Sequence, residues 1–282
     1  MPKIVNEDQA EFWEGMAPTW IDIEERIEGT ASEPGLAAME ALAPQPGEKI
    51  LDLGCGTGGT SITLARMVGP DGSVVGADIS SEMLARARQR AQESETKNVQ
   101  FVHADVQTED FGESSFDAAF SRFGVMFYTD PVTAFGNIRT SLRPAARLSF
   151  VCWQQIFANE WMLVPGMAVM SVTGTPPPMP APGEPGPFSL SDPKHVQSLL
   201  ELAGYRDVDV AAYNDLVVLP QGEIARYAAT SLLVGAAREA LKEANDATRA
   251  NARDAVEAAL TEKISDGDVR LSRGYLVVTA ST

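Results

Sequence analysis

Apolar side chains set the rhythm of the chain, and that rhythm changes along its length. Near the N-terminus Phe12, Trp13, Met16 and Trp20 fall three to four positions apart, the spacing that gathers side chains on one face of a helix. A helical segment from Asn6 to Ala43 is predicted, with Asn6 as its N-cap and acidic residues in its first turn. At Ile50 the pattern becomes a short, nearly continuous apolar run, Ile50 to Leu53, followed by glycines up to Gly59 and a helix from Thr60 to Met67. Such a run, bounded by a glycine turn, reads as a buried strand feeding a helix. Strand and helix patterns then alternate. Strands are predicted at Ser73–Ala77, Val99–His103, Phe116–Phe120 and Arg147–Trp153, with helices at Glu82–Ser94, capped by Ser80 or Ser81, and at Pro131–Leu142, stopped by Arg143 and Pro144. Strands separated by helices imply right-handed crossovers and a parallel, doubly wound α/β sheet.

Beyond Trp153 the signals are looser. The stretch Gly174 to Pro187 is so rich in proline that regular helix or strand is excluded, and a semi-rigid linker is expected. A helix follows at Ser191–Ala203, then strand-like runs at Val208–Ala212 and Leu216–Leu219. An alanine-rich helical stretch covers Gln221 to about Lys263, and a last apolar strand Gly274–Ala280. The expected organisation is a helical cap over residues 1–45, an α/β core over 46–155, a proline-rich connection over 156–190, and a C-terminal part of the core over 191–282 carrying a helical insertion at 221–265.

Composition narrows the chemistry. With 44% hydrophobic and 22% charged residues among 282, the chain is built to fold around a core. Its net charge of -17 repels phosphate backbones, so neither a nucleic acid nor an anionic membrane is an expected partner. The N-terminal segment is the most acidic part, and its carboxylates are expected to form a solvated helix face. Cys55 and Cys152 fall in apparent core strands or turns and are expected to be reduced thiols. Neither His103 nor His195 has zinc-like Cys/His spacing, so no metal is expected. No apolar run nears the roughly 20 residues of a membrane span, and the N-terminus has no apolar signal core. A cytoplasmic protein is expected.

Candidate chemistry collects where strands end. In open parallel sheets ligands bind at the carboxyl ends of strands, and Asp52, Asp78, Asp105 and Ser121 all fall there. Glycine in the intervening turn lets the backbone bend sharply and approach a ligand closely. The spacing Gly54-x-Gly56-x-x-Gly59 satisfies a dinucleotide fingerprint, with Asp78 at about the right distance downstream. The same stretch fills another pattern without departure: Asp52, one residue, then Gly54, Gly56 and Gly58.

On that pattern and the later strand ends, the sequence resembles the class I S-adenosylmethionine-dependent methyltransferases. The segment SRFGVMFYTDPVTAF from Ser121, with the later LRP and RLSFVCW, resembles the small-molecule members that act on ubiquinone and menaquinone precursors and on secondary metabolites. The resemblance implies a Rossmann-like, seven-stranded, mostly parallel sheet, with the N-terminal helices as a cap. The helical insertion before the last strand departs from the family's pattern and suggests a lid or a homodimer contact. It implies S-adenosylmethionine as cofactor. Asp52, Gly54, Cys55, Gly56 and Gly58 would hold its methionine part, Asp78 its ribose, Ile79 and Met83 would pack near the adenine, and Asp105 with Val106 would meet the adenine edge. Ser121 would lie near the sulfonium. Trp13, Trp20, Arg122, Phe123, Met126, Phe127 and Trp153 would line the pocket of a small aromatic or apolar acceptor. No catalytic base stands out; Tyr128 is the candidate, while His103 reads as a core residue. Two other readings remain open: an NAD-dependent oxidoreductase, lacking a Tyr-x-x-x-Lys pair, and a non-catalytic protein that binds S-adenosylmethionine.

Overall fold

A computed structural model describes residues 4–176 and 184–282. In chain order the elements are α1 (Glu7–Asp22), α2 (Glu24–Leu42), β1 (Lys49–Leu53), α3 (Gly59–Val68), β2 (Ser73–Asp78), α4 (Ser81–Glu93), β3 (Val99–His103), β4 (Phe116–Arg122), α5 (Pro131–Ser141) and β5 (Leu142–Trp153). They continue with α6 (Glu160–Thr173), α7 (Pro193–Leu202), β6 (Arg206–Pro220), α8 (Ile224–Ser231), α9 (Gly235–Ala240), α10 (Asp246–Thr261), β7 (Ile264–Ser265) and β8 (Asp268–Ser281). The sheet order is β3-β2-β1-β4-β5-β8-β6, with the short β7 beside β8. The pairs β1–β2, β2–β3, β1–β4 and β4–β5 are parallel. The predicted α/β sheet is therefore present, and β7 adds an eighth strand to the seven expected.

The described chain separates into two compact units. The first comprises residues up to 152, 184–212 and 275–282. Its centre is β1, whose Ile50, Leu51 and Leu53 are fully buried. Burial of both faces is what makes this strand a continuous apolar run rather than an alternating one. The register aligns Asp52 with Gly76 of β2 and Phe120 of β4, and Asp78 with His103 of β3. The acidic residues thus reach one edge of the sheet together.

The second unit comprises residues 153–183 and 213–274. Here α6, α8, α9 and α10 enclose a core of Val169, Tyr227, Leu241, Val256, Leu260 and Leu271. Helices α8 to α10 stand where the helical insertion is predicted. Only the flanks of the proline-rich linker fall in the described residues; 177–183 lie outside them.

Several boundaries differ from expectation. The N-terminal helical segment is two helices, α1 and α2, parted at Ile23. The strand runs at 208–212 and 216–219 are one strand, because Tyr213 to Asp215 extend β6 without interruption. The last strand begins at Asp268 rather than Gly274. Part of the stretch assigned to a connection, Glu160–Thr173, is the apolar helix α6. Strand β5 starts at Leu142 and runs through Pro144, with a register shift opposite Phe116 and Ala118 and a left-handed Ala145; the bulge accommodates the proline.

Candidate active site at the strand ends

The turn after β1 is held by its neighbours. Gly54 N–H and Cys55 N–H both donate to Ala77 O, at 2.9 and 3.1 Å. Gly54, Gly56 and Gly58 have φ of 65°, 53° and 80°, a region that side chains with a Cβ rarely enter. A Cβ on Gly54 would also lie 2.8 Å from Gly124 Cα, so the loop after β4 abuts the turn at backbone distance. Cys55 is buried with its thiol pushed well up by burial, and it acts as a packing group.

Asp52 is the most unusual side chain of the site. It has no exposed surface. Its Oδ2 accepts from Thr60 Oγ1 at 2.7 Å and Ser61 Oγ at 2.5 Å, while Oδ1 has no hydrogen-bond partner. Burial raises its pKa to about 6, against the bonds from Ser61 and Thr60 and the nearby charge of Arg122. A buried acceptor left without a donor is costly and calls for one.

Asp78 is buried at the end of β2 and accepts Gly56 N–H at 2.8 Å and Ser80 N–H at 2.9 Å. Burial raises its pKa. One donor per oxygen leaves further lone pairs for hydroxyls. His103 lies alongside, its Nε2 2.9 Å from Ile79 O, which fits a structural role. Met83 is buried, its N–H bonded to the Ser80 Oγ that caps α4, and its sulfur faces the open side of Gly56. Val106 is buried, with its carbonyl engaged by Asn137 Nδ2 at 2.8 Å.

Asp105 behaves differently. Its carboxylate accepts from Val5 N–H, Asn6 N–H, both oxygens from Asn6 Nδ2, and Gln107 N–H, all at 2.7 to 3.0 Å. A carboxylate offers about four acceptor sites, so this one is filled by the N-terminal segment. Asn6 does stand at the N-cap of α1, but its side chain makes no capping bond. It binds Asp105 instead.

The acidic N-terminal segment is not merely a solvated face. Glu14 accepts from Ser80 Oγ and Ser81 Oγ at 2.7 and 2.5 Å, and Glu24 pairs with Arg86 of α4. Glu28 of α2 pairs with Arg122 at 2.7 Å and Arg90 at 3.4 Å. Its carboxylate rests against Gly59, where a Cβ would stand 2.1 Å from Oε1. Burial works to raise Glu28, but the hydrogen bond and charge of Arg122, then Arg90, hold its carboxyl below the usual range. The third glycine of the dinucleotide-like spacing therefore admits a carboxylate of the chain itself, beside the N-terminus of α3 where a pyrophosphate would otherwise rest. These contacts were missed in the sequence. The signal was there: Glu24 and Glu28 are one helical turn apart, and so are Arg86 and Arg90.

The remaining predicted residues divide. Ser121 is buried and ties strand ends together, donating to Leu53 O at 2.7 Å and accepting Gly124 N–H at 3.2 Å. Trp13 packs edge-on against Trp20 and Phe127, with centroids 5.4 and 4.9 Å apart, so three of the acceptor-pocket candidates form one patch. Phe123 sits in the left-handed region at φ 62°, with its N–H bonded to Val151 O. Met126 is buried, and its carbonyl accepts from Gly186 N–H and Ser189 Oγ. Trp153 belongs to the second unit, where its ring lies 5.0 Å from that of Trp161. Tyr128 has a buried, partnerless hydroxyl, and burial pushes its phenol well up; it keeps its proton and is a poor base. A polar cavity of about 310 Å³ opens between α3 and α4, lined by Gly59, Thr63, Arg66, Arg90 and Glu93 among others. It contains none of the predicted ligand residues. Among the described residues there is no cluster suited to a metal and no helix long and apolar enough to cross a membrane.

This strand order, with a glycine turn after β1 and acidic residues closing β1 and β2, defines the Rossmann-like fold of the class I S-adenosylmethionine-dependent methyltransferases. The particular match agrees: residues 50–145 fit the family model described as a methyltransferase domain. The chain is 30% identical over 127 residues to a demethylmenaquinone methyltransferase from Listeria welshimeri, covering 42% of this chain and 54% of that protein. It is 33% identical over 116 residues to the aklanonic acid methyltransferase DauC from Streptomyces sp., covering 41% and 53%. The alignments thus span about half the length of these curated relatives. A solved phosphoethanolamine N-methyltransferase 2 from Haemonchus contortus, in complex with S-adenosyl-L-methionine, shares the fold at a TM-score of 0.54 and 19% identity, covering 88% of this chain and 52% of that one.

Proposed function

We propose that this protein transfers a methyl group from S-adenosylmethionine to a small, apolar or aromatic acceptor. The observation that carries the reading is the pairing of a glycine cradle with the buried, partnerless Oδ1 of Asp52. That acceptor suits a cationic donor such as the cofactor's ammonium group, and would face repulsion from a pyrophosphate. The cofactor, when bound, supplies an electrophilic methyl on a sulfonium. The chain's own part is to bind and orient.

Asp78 keeps lone pairs for the ribose hydroxyls, with Ile79 and Met83 beside the adenine. Asp105 acts through the N-terminal helices it anchors, because its oxygens are already filled. The aromatic patch of Trp13, Trp20 and Phe127, with rings packed edge to face, offers an apolar wall to the acceptor. The two curated relatives are named for demethylmenaquinone and aklanonic acid, which supports a small-molecule acceptor. Without a poised base among these residues, positioning supplies the acceleration; well-oriented reactants reach effective molarities of about 10⁵ M or more.

Calorimetric titration with S-adenosylhomocysteine and, separately, with NAD tests the reading. Micromolar binding of the former, weakened at least about tenfold in Asp78→Ala by loss of a charged acceptor, is expected. Binding of NAD alone would sink it.

A further inference from the structure

We infer that Arg122 receives the carboxylate of the cofactor's amino-acid end, across from the buried carboxylate of Asp52, and that Glu28 holds its guanidinium in place for this. The inference rests on the S-adenosylmethionine reading above and adds to it a charged partner for the acidic half of a zwitterion.

An amino-acid end carries an ammonium and a carboxylate, and both lose water on entering a buried site. Each then needs a partner of opposite charge. The first unit offers one of each sign at neighbouring strand ends. Asp52 is the penultimate residue of β1; Arg122 closes β4, two residues beyond the Phe120 that aligns with Asp52. Thr60 and Ser61 occupy only Oδ2 of Asp52, and Oδ1 is partnerless and buried. Arg122 uses Nη1 for Glu28, while its Nε and Nη2 donate to no group among the described residues. The two side chains are near enough for the charge of Arg122 to act on Asp52.

The guanidinium is held rather than loose. Its side chain is 16% exposed, and its stem crosses α2 at Gly35, where a Cβ would stand 2.7 Å from Cδ. Glycine inside a helix costs about 1 kcal/mol relative to alanine, and the passage of this arginine gives the residue a purpose. Glu28 also reaches Arg90, which donates to Thr57 O and Oγ1 in the glycine turn at 3.3 and 2.9 Å. The ties of Arg122 therefore run to the cofactor turn, which is why its partner is assigned to the cofactor and not to the acceptor.

Two ligands separate this role from a structural one. S-adenosylhomocysteine carries the amino-acid end; 5′-methylthioadenosine is the corresponding nucleoside thioether without it. Both would be titrated calorimetrically into the full chain. Arg122→Met keeps the stem and removes the charge. It should weaken S-adenosylhomocysteine about 10- to 100-fold, the span of a charged hydrogen bond, and leave 5′-methylthioadenosine within about twofold. Arg122→Lys, which retains a cation without the fork, should fall between. Equal loss of both ligands, or loss of neither, overturns the inference. Glu28→Gln leaves the arginine charged but loosens its tether, so the preference for the longer ligand should fall part of the way toward the Arg122→Met level; a preference unchanged from wild type would overturn the positioning role given to Glu28. Wild-type protein that binds neither ligand would overturn the cofactor reading itself, whereas wild-type binding with a ratio unmoved by Arg122→Met overturns this inference alone.

Discussion

Asp52 combines full burial, two hydroxyl donors on one oxygen and none on the other. Its pKa of about 6 lies above the value of 3.8 expected in the unfolded chain, so the folded state binds its proton more tightly. The sign follows from linkage: the contribution of this group to stability is greatest below about pH 4 and is lost as pH rises toward 6. The loss is of the order of 3 kcal/mol. Asp52→Asn should therefore be more stable than wild type at pH 7.5 and nearly equal to it at pH 4, as read by urea unfolding at the two pH values. Ligand affinity should run the opposite way. An ammonium group favours the ionised carboxylate, so S-adenosylhomocysteine should bind wild type more tightly as pH rises from 5 to 7, and binding should release protons. A pH-independent affinity, or the same dependence in Asp52→Asn, would place the titrating group elsewhere.

At the scale of elements, α1 and α2 are fastened to the core by polar contacts spread along them: Asn6 to Asp105, Glu14 to the N-terminus of α4, Glu24 to Arg86, and Glu28 to Arg90 and Arg122. Single exposed ion pairs contribute at most about 1 kcal/mol, but these are partly buried and joined in a network. Salt should loosen them, since the screening length falls from roughly 10 Å at 0.1 M to 3 Å at 1 M. Hydrogen exchange of α1 and α2 should quicken in high salt while β1 and β2 stay protected, and Glu24→Gln with Glu28→Gln should produce the same quickening at low salt. Exchange indifferent to both changes would mean that the buried Met16, Ala38, Met39 and Leu42 hold the cap unaided. The helices themselves were legible from the spacing of Phe12, Trp13, Met16 and Trp20. Their fastening was not, because it joins residues far apart in sequence: Asn6 looks like an N-cap to any local rule, and only the folded chain brings Asp105, 99 residues on, within reach of it.

For the whole molecule, legibility followed the same division between local and distant. The alternation from Ile50 to Trp153 announced a parallel sheet, because each crossover is short and each strand carries its own apolar run. The compact units were not announced, because both are discontinuous: strands β6 and β8 each pass from one unit to the other, at Ala212–Tyr213 and Gly274–Tyr275. Every residue assigned to the cofactor lies in the first unit, and the second has its own core of Val169, Tyr227, Leu241, Val256 and Leu260. If each core melts on its own, calorimetry should resolve two transitions, of which S-adenosylhomocysteine raises only one. At a free concentration of about 100 times its dissociation constant the ligand adds about 2.7 kcal/mol to the state it binds. Hydrogen exchange with the ligand should then slow in β1, β2 and α4 and leave α8 and α10 unchanged. A single transition that shifts as a whole, with protection rising in α10 as much as in β1, would show that strands shared through the chain make the two cores one cooperative body.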